Sequence, residues 1–242
     1  PRLAECDWIV EAVTERLDIK LKVFENVRTH ARPDAIVTSN TSGIPIASMT
    51  QGAPEAFRRN FFVTHFFNPV RYMKLLELVA GPDTDPEVFA FLADFGERRL
   101  GKGIVVGKDT PNFVANRIGT YGMMALLHKV VDKGFTVTDI DSVFGKPMGR
   151  PKSAVFRTAD LVGLDTLSHV ARNCFDNLQD DPSRGVFELP GFLAQMVDKG
   201  MLGGKTGGGF YRKTRVDGKK TIQALNLQTF EYEEQSKTRF AS

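Results

Sequence analysis

The chain has 242 residues, 42% of them hydrophobic, with 32 basic against 29 acidic side chains and a formal net charge of +3. That is enough for one large domain or two modest ones, with the composition of an ordinary globular protein. The small charge excess, without a long basic stripe, argues against a nucleic-acid footprint, and no apolar run approaches the roughly 18 residues of a membrane-spanning helix.

Cys6 and Cys174 have no CxxC spacing and make no disulfide framework. They suit free thiols in a reducing, cytoplasmic compartment. His30, His128 and His169 show no paired spacing, so no metal is assigned. The chain opens Pro-Arg-Leu-Ala without Met and reads as the middle of a longer protein.

In chain order, the apolar run at 7–13 predicts a parallel strand, and Thr14 can cap the helix after it. Leu17, Leu21, Phe24 and Val27 recur at helical spacing until Pro33-Asp34. A second buried strand at 35–38 completes a βαβ unit and implies a doubly wound sheet. It ends on Ser39-Asn40-Thr41-Ser42. A third strand at 61–64 delivers His65, Arg71-Tyr72 mark a turn, and the next strand runs over 74–79.

His65 and Glu77 lie equally far from Arg71, so a hairpin centred there makes them cross-strand neighbours, roughly 5 Å apart at Cβ. A carboxylate beside an imidazole fixes its tautomer and favours the protonated form, as a general base requires. The alternatives are a core histidine and a solvent-facing glutamate. Joint placement speaks for chemistry: Ser-Asn-Thr-Ser, His65, Asn68 and Glu77 all fall near the ends of consecutive strands, where open α/β sheets bind ligands.

Residues 85–100 read as a helix with Val88, Phe89, Leu92 and Phe95 inward, and 103–107 as another strand. Gly101, Gly103 and Gly107 miss a dinucleotide fingerprint, which needs Gly at 106 and a preceding strand. Lys108-Asp109-Thr110-Pro111 marks a domain boundary, with Thr110 as cap and Pro111 in the first turn of a helix that Gly134 ends. Asn116 shares a face with Phe113, Thr120, Met123 and Leu127, as a structural hydrogen-bonder or a substrate contact.

The remainder is helical: one helix opening at Thr138, then helices around 155–161, 165–177 and 192–198. Gly204-Lys205-Thr206 fails as a P-loop because position 199 is Lys. Gly207-Gly208-Gly209-Phe210-Tyr211 reads as a tight backbone crossing, with Lys205 available to a phosphate or the cofactor. The fold class is thus α/β plus all-α. A partial doubly wound (Rossmann-type) sheet over 1–108 precedes a helical domain over 109–212 and a polar connector or tail over 213–242.

The motifs SNTS (39–42), HFFNPV (65–70), KLLELV (74–79), DTPNFVANR (109–117), ADLVGLDT (159–166) and GKTGGGFY (204–211) resemble, in order, the signatures of the L-3-hydroxyacyl-CoA dehydrogenase family. The resemblance covers roughly residues 5–212. It implies NAD-dependent oxidation of a (S)-3-hydroxyacyl-CoA to the 3-ketoacyl-CoA in fatty-acid β-oxidation. In that reaction His65 is the base and Glu77 its orienter, while Ser42 and Asn116 hold the substrate oxygen.

It also implies that Glu15 and Lys20, with Glu11 at the same strand-to-helix junction, lie beside NAD. Asn40, Ser42 and Asn68 then lie near the nicotinamide, and Lys205 is a further cofactor contact. Position 43 is Gly where many relatives carry Ser, which predicts a looser loop. Residues 148–153 read Met-Gly-Arg-Pro-Lys-Ser where relatives often continue Met-Gly-Pro-Phe-Glu.

The implied partners are the acyl-CoA substrate, a second copy through the helical domain, and a fused enoyl-CoA hydratase module. The Gly-rich βαβ that holds the pyrophosphate is expected upstream, so this polypeptide alone is expected to bind NADH poorly and to be inactive. Two other readings stand beside this one. They are a non-catalytic relative of the lens-crystallin kind and a dehydrogenase of another small hydroxyacid.

Overall fold

Short apolar runs separated by amphipathic segments assemble here into two units, residues 1–117 and 118–242. The computed structural model describes residues 2–216 and 219–235.

The first unit begins with β1 (Trp8–Glu11), α1 (Leu17–His30) and β2 (Ile36–Ser39). Two short helices, α2 (Ile46–Met49) and α3 (Glu55–Arg59), lead into β3 (Phe61–Phe66). Then come β4 (Leu75–Ala80), α4 (Pro86–Arg98) and β5 (Gly103–Gly107). The strands lie side by side in chain order, β1 to β5. All neighbours are parallel except β3 and β4, which form the expected hairpin with His65 opposite Glu77.

Strand side chains alternate between faces, and both faces here are apolar. Phe61 and Val63 pack with Phe24 of α1 and with Ile46 and Met49 of α2. Phe62, with Leu76 and Leu78, packs against Leu92 of α4. A sheet covered on both sides explains why β3 and β4 read as nearly continuous hydrophobic runs. Asp85 caps α4 by accepting the Glu87 amide, ahead of Pro86.

The helix expected from Pro111 starts later, as α5 (Ala115–Asp132). Asn112 and Phe113 have φ of 60° and 44°, a left-handed turn that no α-helix continues through. α5 then runs on through the second unit.

There it is joined by α6 (Val137–Val143), α7 (Phe156–Val162), α8 (Leu164–Asn177) and α9 (Gly191–Asp198). Met124, Leu127, Phe156, Leu167, Met196 and Phe210 are at the centre of their common core. Thr136, rather than Thr138, caps α6: its hydroxyl accepts the Asp139 amide while the Asp139 carboxylate accepts the Thr136 amide.

The polar stretch read as a connector holds regular structure. β6 (Tyr211–Val216), β7 (Lys219–Leu225) and β8 (Tyr232–Glu234) form an antiparallel sheet. Tyr211 and Leu225 belong to the helical core. Residues 217–218 and 236–242 of that stretch, including Arg239 to Ser242, lie outside the described residues.

Candidate active site

Parallel β2 ends at Ser39, opposite Val63, so the residues after β2 face the last residues of β3. Asn40 fastens the two ends: its Oδ1 accepts the Phe66 amide at 2.8 Å, beyond the last ladder bond. His65 is 4% exposed and Glu77 is wholly buried. The Glu77 Oε2 accepts from His65 Nδ1 at 2.7 Å. Because a carboxylate can only accept, Nδ1 carries a proton, and in the neutral ring Nε2 has the free lone pair. That nitrogen lies 3.2 Å from Ser42 Oγ. Phe67 and Phe113 flank the ring edge-on, with centroids at 4.6 and 5.7 Å.

The second Glu77 oxygen has a different duty. Oε1 accepts the backbone amides of Val114 at 3.0 Å and Ala115 at 2.7 Å, which are the start of α5. Asn116, half-buried, is the next residue. Glu77 therefore joins three of the expected participants: the imidazole directly, Ser42 through it, and Asn116 through its helix.

The loop that carries Ser42 rests on a second set of charges. Lys20 Nζ lies 2.9 and 3.0 Å from the two Glu11 oxygens and 3.3 Å from Glu15 Oε2. Glu11 also accepts from Ser39 Oγ and the Val13 amide, both at 2.6 Å. Glu15 accepts from Thr41 Oγ1 and, at 2.8 Å, from the Ser42 amide.

Glu11 and Lys20 are 3% and 1% exposed, so they are not solvated surface charges. They are an internal brace under the rim. Glu15, partly exposed, is the member of the trio that reaches outward.

Gly43 also departs from expectation. A Cβ there would lie 2.8 Å from the Asn112 amide nitrogen, so the missing side chain lets this loop close against the turn before α5. Asp109 adds a tie that motif and spacing do not announce. Its Oδ2 accepts the Ile46 amide at 2.9 Å, and burial pushes its carboxyl above the ordinary value. An acid in a boundary motif that also precedes Pro is the one signal that could have marked it.

Lys205 belongs to the second unit, where both Asp165 oxygens hold its ammonium at 2.6 and 2.7 Å. It is not a free cation. The neighbouring glycines enclose Asp160: a Cβ on Gly209 would fall 2.1 Å from Asp160 Oδ1, and one on Gly203 2.4 Å from its carbonyl oxygen. The Asp160 carboxylate accepts the Phe210 and Tyr211 amides, each at 2.8 Å. Burial pushes its carboxyl up to about 6. Asp141 accepts three amides at the start of α7 and the Tyr211 hydroxyl. The glycine motif is thus a backbone crossing around a carboxylate, and a structural one.

Asn40, Ser42 and Asn68 put two amides and a hydroxyl on the rim, with Asn68 exposed. Such uncharged hydrogen-bonding groups suit the carboxamide and ribose of a nicotinamide. An imidazole–carboxylate pair, with amides around it, thus stands at the carboxyl edge of a doubly wound sheet, where such sheets bind ligands.

Comparison with known proteins specifies the class. Residues 1–110 match the family model described as 3-hydroxyacyl-CoA dehydrogenase, NAD binding domain, and residues 113–213 match its C-terminal domain. A probable 3-hydroxyacyl-CoA dehydrogenase of Bacillus subtilis is 48% identical over 98% of this chain and 29% of its own length. One from Deinococcus radiodurans is 44% identical over 88% of this chain and 61% of its own.

The crystal structure of M. tuberculosis FadB2 superimposes with a TM-score of 0.77 at 33% identity, over 88% of this chain and 72% of that one. The chain belongs to the 3-hydroxyacyl-CoA dehydrogenase family, and the cofactor that goes with its first unit is NAD. It spans less than two thirds of the length of these two curated relatives.

Proposed function

We propose that the protein carrying this chain oxidises a (S)-3-hydroxyacyl-CoA to the 3-ketoacyl-CoA in fatty-acid β-oxidation. The observation that carries this reading is the His65 ring: Nδ1 is bound to a buried carboxylate, and Nε2 faces the Ser42 hydroxyl. His65 Nε2 takes the proton of the substrate's 3-hydroxyl as the carbon–hydrogen bond at C3 breaks. NAD, when bound, supplies the two-electron acceptor. Ser42 and Asn116 donate hydrogen bonds to the oxygen as it becomes a carbonyl. Glu77 balances the positive charge that the imidazole then carries, as the orienter does in other base–orienter pairs.

Asn40, Ser42 and Asn68 would hold the nicotinamide end, with Glu15 at the ribose side. The helical residues 109–212 are taken as the substrate-binding and homodimer half, and an enoyl-CoA hydratase module as the fused partner. The reading is tested in the full-length protein with acyl-CoA and free hydroxyacid substrates. His65→Gln should lower turnover by about 10²–10⁴ and leave NAD affinity within a few-fold. Unchanged turnover would remove His65 from the mechanism. Faster oxidation of free hydroxyacids than of the thioester would replace the substrate class.

A further inference from the structure

Glu77 has two oxygens and three donors, and the partition among them has a consequence for the base. Oε2 takes His65 Nδ1, while Oε1 takes the amides of Val114 and Ala115. The two amides are those of the residue before an 18-residue helix and of its first residue, at the positive end that favours a negative cap. They lie two residues and one residue before Asn116 in the chain. We propose that Glu77 is a positioning residue for Asn116 as well as for His65, and that the N-terminus of α5 dictates which ring nitrogen of His65 carries the proton.

What each group can donate or accept fixes the outcome. A carboxylate satisfies all three donors at once. Partly buried amides at a helix start lose a partner that water replaces poorly when the acceptor is withdrawn, so the helix start claims one oxygen. The remaining oxygen then requires a donor, and only an Nδ1–H tautomer supplies it. The proton-free nitrogen is therefore Nε2, on the Ser42 side.

Glu77→Gln removes this freedom without removing bulk. A glutamine has one oxygen and one NH2. Two backbone amides need the oxygen, so the NH2 turns toward His65, whose Nδ1 must then accept. The imidazole proton moves to Nε2 and the base is occupied. A cap that merely supported the fold would leave the tautomer alone.

The role given to Asn116 rests on the dehydrogenase reading, but the cap and the tautomer do not, and both are measured without substrate or cofactor. In the 242-residue chain, ¹⁵N NMR of the imidazoles reports the tautomer, with His65 assigned by its loss in His65→Gln. Couplings across hydrogen bonds, from the Val114 and Ala115 nitrogens to the side-chain carbon of residue 77, report the cap. The wild-type chain should show both couplings and a protonated Nδ1.

In Glu77→Gln the couplings should persist while Nδ1 becomes unprotonated and Nε2 protonated. Loss of the couplings with Nδ1 still protonated would overturn the proposal, because His65 would then have outcompeted the helix. If Glu77→Gln does not fold, the wild-type spectra decide. Both couplings with Nδ1 protonated support the proposal, and absence of either coupling overturns it. An inactive dehydrogenase would leave each of these results untouched.

Discussion

Both units use carboxylates to gather backbone amides, yet Glu77 and Glu11 of the first unit add an imidazole and an ammonium, whereas the further partner of Asp141 in the second is a phenol that burial holds in its protonated form. Glu77 holds two amides and an imidazole, and Glu11 holds one amide, a hydroxyl and Lys20. In the second unit Asp160 holds two amides, and Asp141 holds three amides and a phenol. A carboxylate that spends every lone pair on backbone is a clasp. One that keeps an oxygen for a group able to change protonation, at a sheet rim, is part of a site. Single substitutions in each unit put this contrast to the test.

The largest effect belongs to Lys20. Removing one partner of a buried pair leaves an uncompensated charge, at a cost of about 3–5 kcal/mol. Lys20→Met should destabilise the first unit by that amount, because Glu11 then has neither solvent nor a counter-ion. Trp8, the single tryptophan, donates to Thr38 Oγ1 at 3.0 Å in the same sheet, so its fluorescence follows this unit during denaturant unfolding. A loss under about 1 kcal/mol, the scale of a surface pair, would mean that water reaches the brace.

Asp160 supplies the contrasting case. Its carboxyl lies at about 6 against an ordinary 3.8, so the folded state binds the proton more tightly than the unfolded one. The contribution to stability is therefore fully present below the unfolded value and is lost as pH rises through about 6. A displacement of that size corresponds to about 3 kcal/mol. Relative to Asp160→Asn, the wild type should lose up to that amount between about pH 4 and pH 7. Parallel stability profiles for the two proteins would show that the clasp is hydrated.

Next in size is Gly43. A Cβ at this position meets backbone, 2.8 Å from the Asn112 nitrogen, so the loop or the turn must move. Overpacking of this kind costs roughly 1–3 kcal/mol. Gly43→Ala should weaken the first unit by that order and disturb the amides of residues 112–115, which a proton–nitrogen correlation spectrum resolves. Unmoved amides there would mean that the Ser42 loop yields instead and that the two segments are not interlocked.

What is legible in the sequence divides along the same line. The hairpin placing His65 opposite Glu77 can be read from equal spacing about Arg71, because strand pairing is local and periodic. The buried Lys20–Glu11 pair cannot, since a lysine on the edge of an amphipathic helix has the same pattern whether it meets solvent or a carboxylate. The start of α5 lies later than its pattern predicts because its cap, Glu77, is 38 residues from Ala115. Periodicity carries no record of so distant a partner.

The sheet after Tyr211 escapes a reading by periodicity because its strands are polar. The Asp217-Gly218 pair in the sequence is the available hairpin signal, although those two residues themselves lie outside the described set. The motifs at 159–166 and 204–211 invite a functional reading until Asp160 is seen with Phe210 and Tyr211, and Asp165 with Lys205.

Lys205 gives the smallest effect and the sharpest contrast with Lys20. Both lysines bind a carboxylate through two oxygens at hydrogen-bonding distance. They differ in what surrounds the pair: the Lys205 and Asp165 side chains are 47% and 42% exposed, whereas Lys20 and Glu11 are each 1% exposed. Hydrogen bonding to Lys205 holds the Asp165 carboxyl below its ordinary value. Any stability from the pair is therefore present above the unfolded value of 3.8 and lost as pH falls through the folded one. Solvent screens an exposed pair to about 0–1 kcal/mol. Lys205→Met should accordingly change the stability of the second unit by less than about 1 kcal/mol, and the difference should shrink further in about 1 M salt. Calorimetry at two salt concentrations is the measurement. A loss as large as that of Lys20→Met, insensitive to salt, would show that geometry rather than burial sets the strength of these pairs, and the distinction between brace and surface contact would fall.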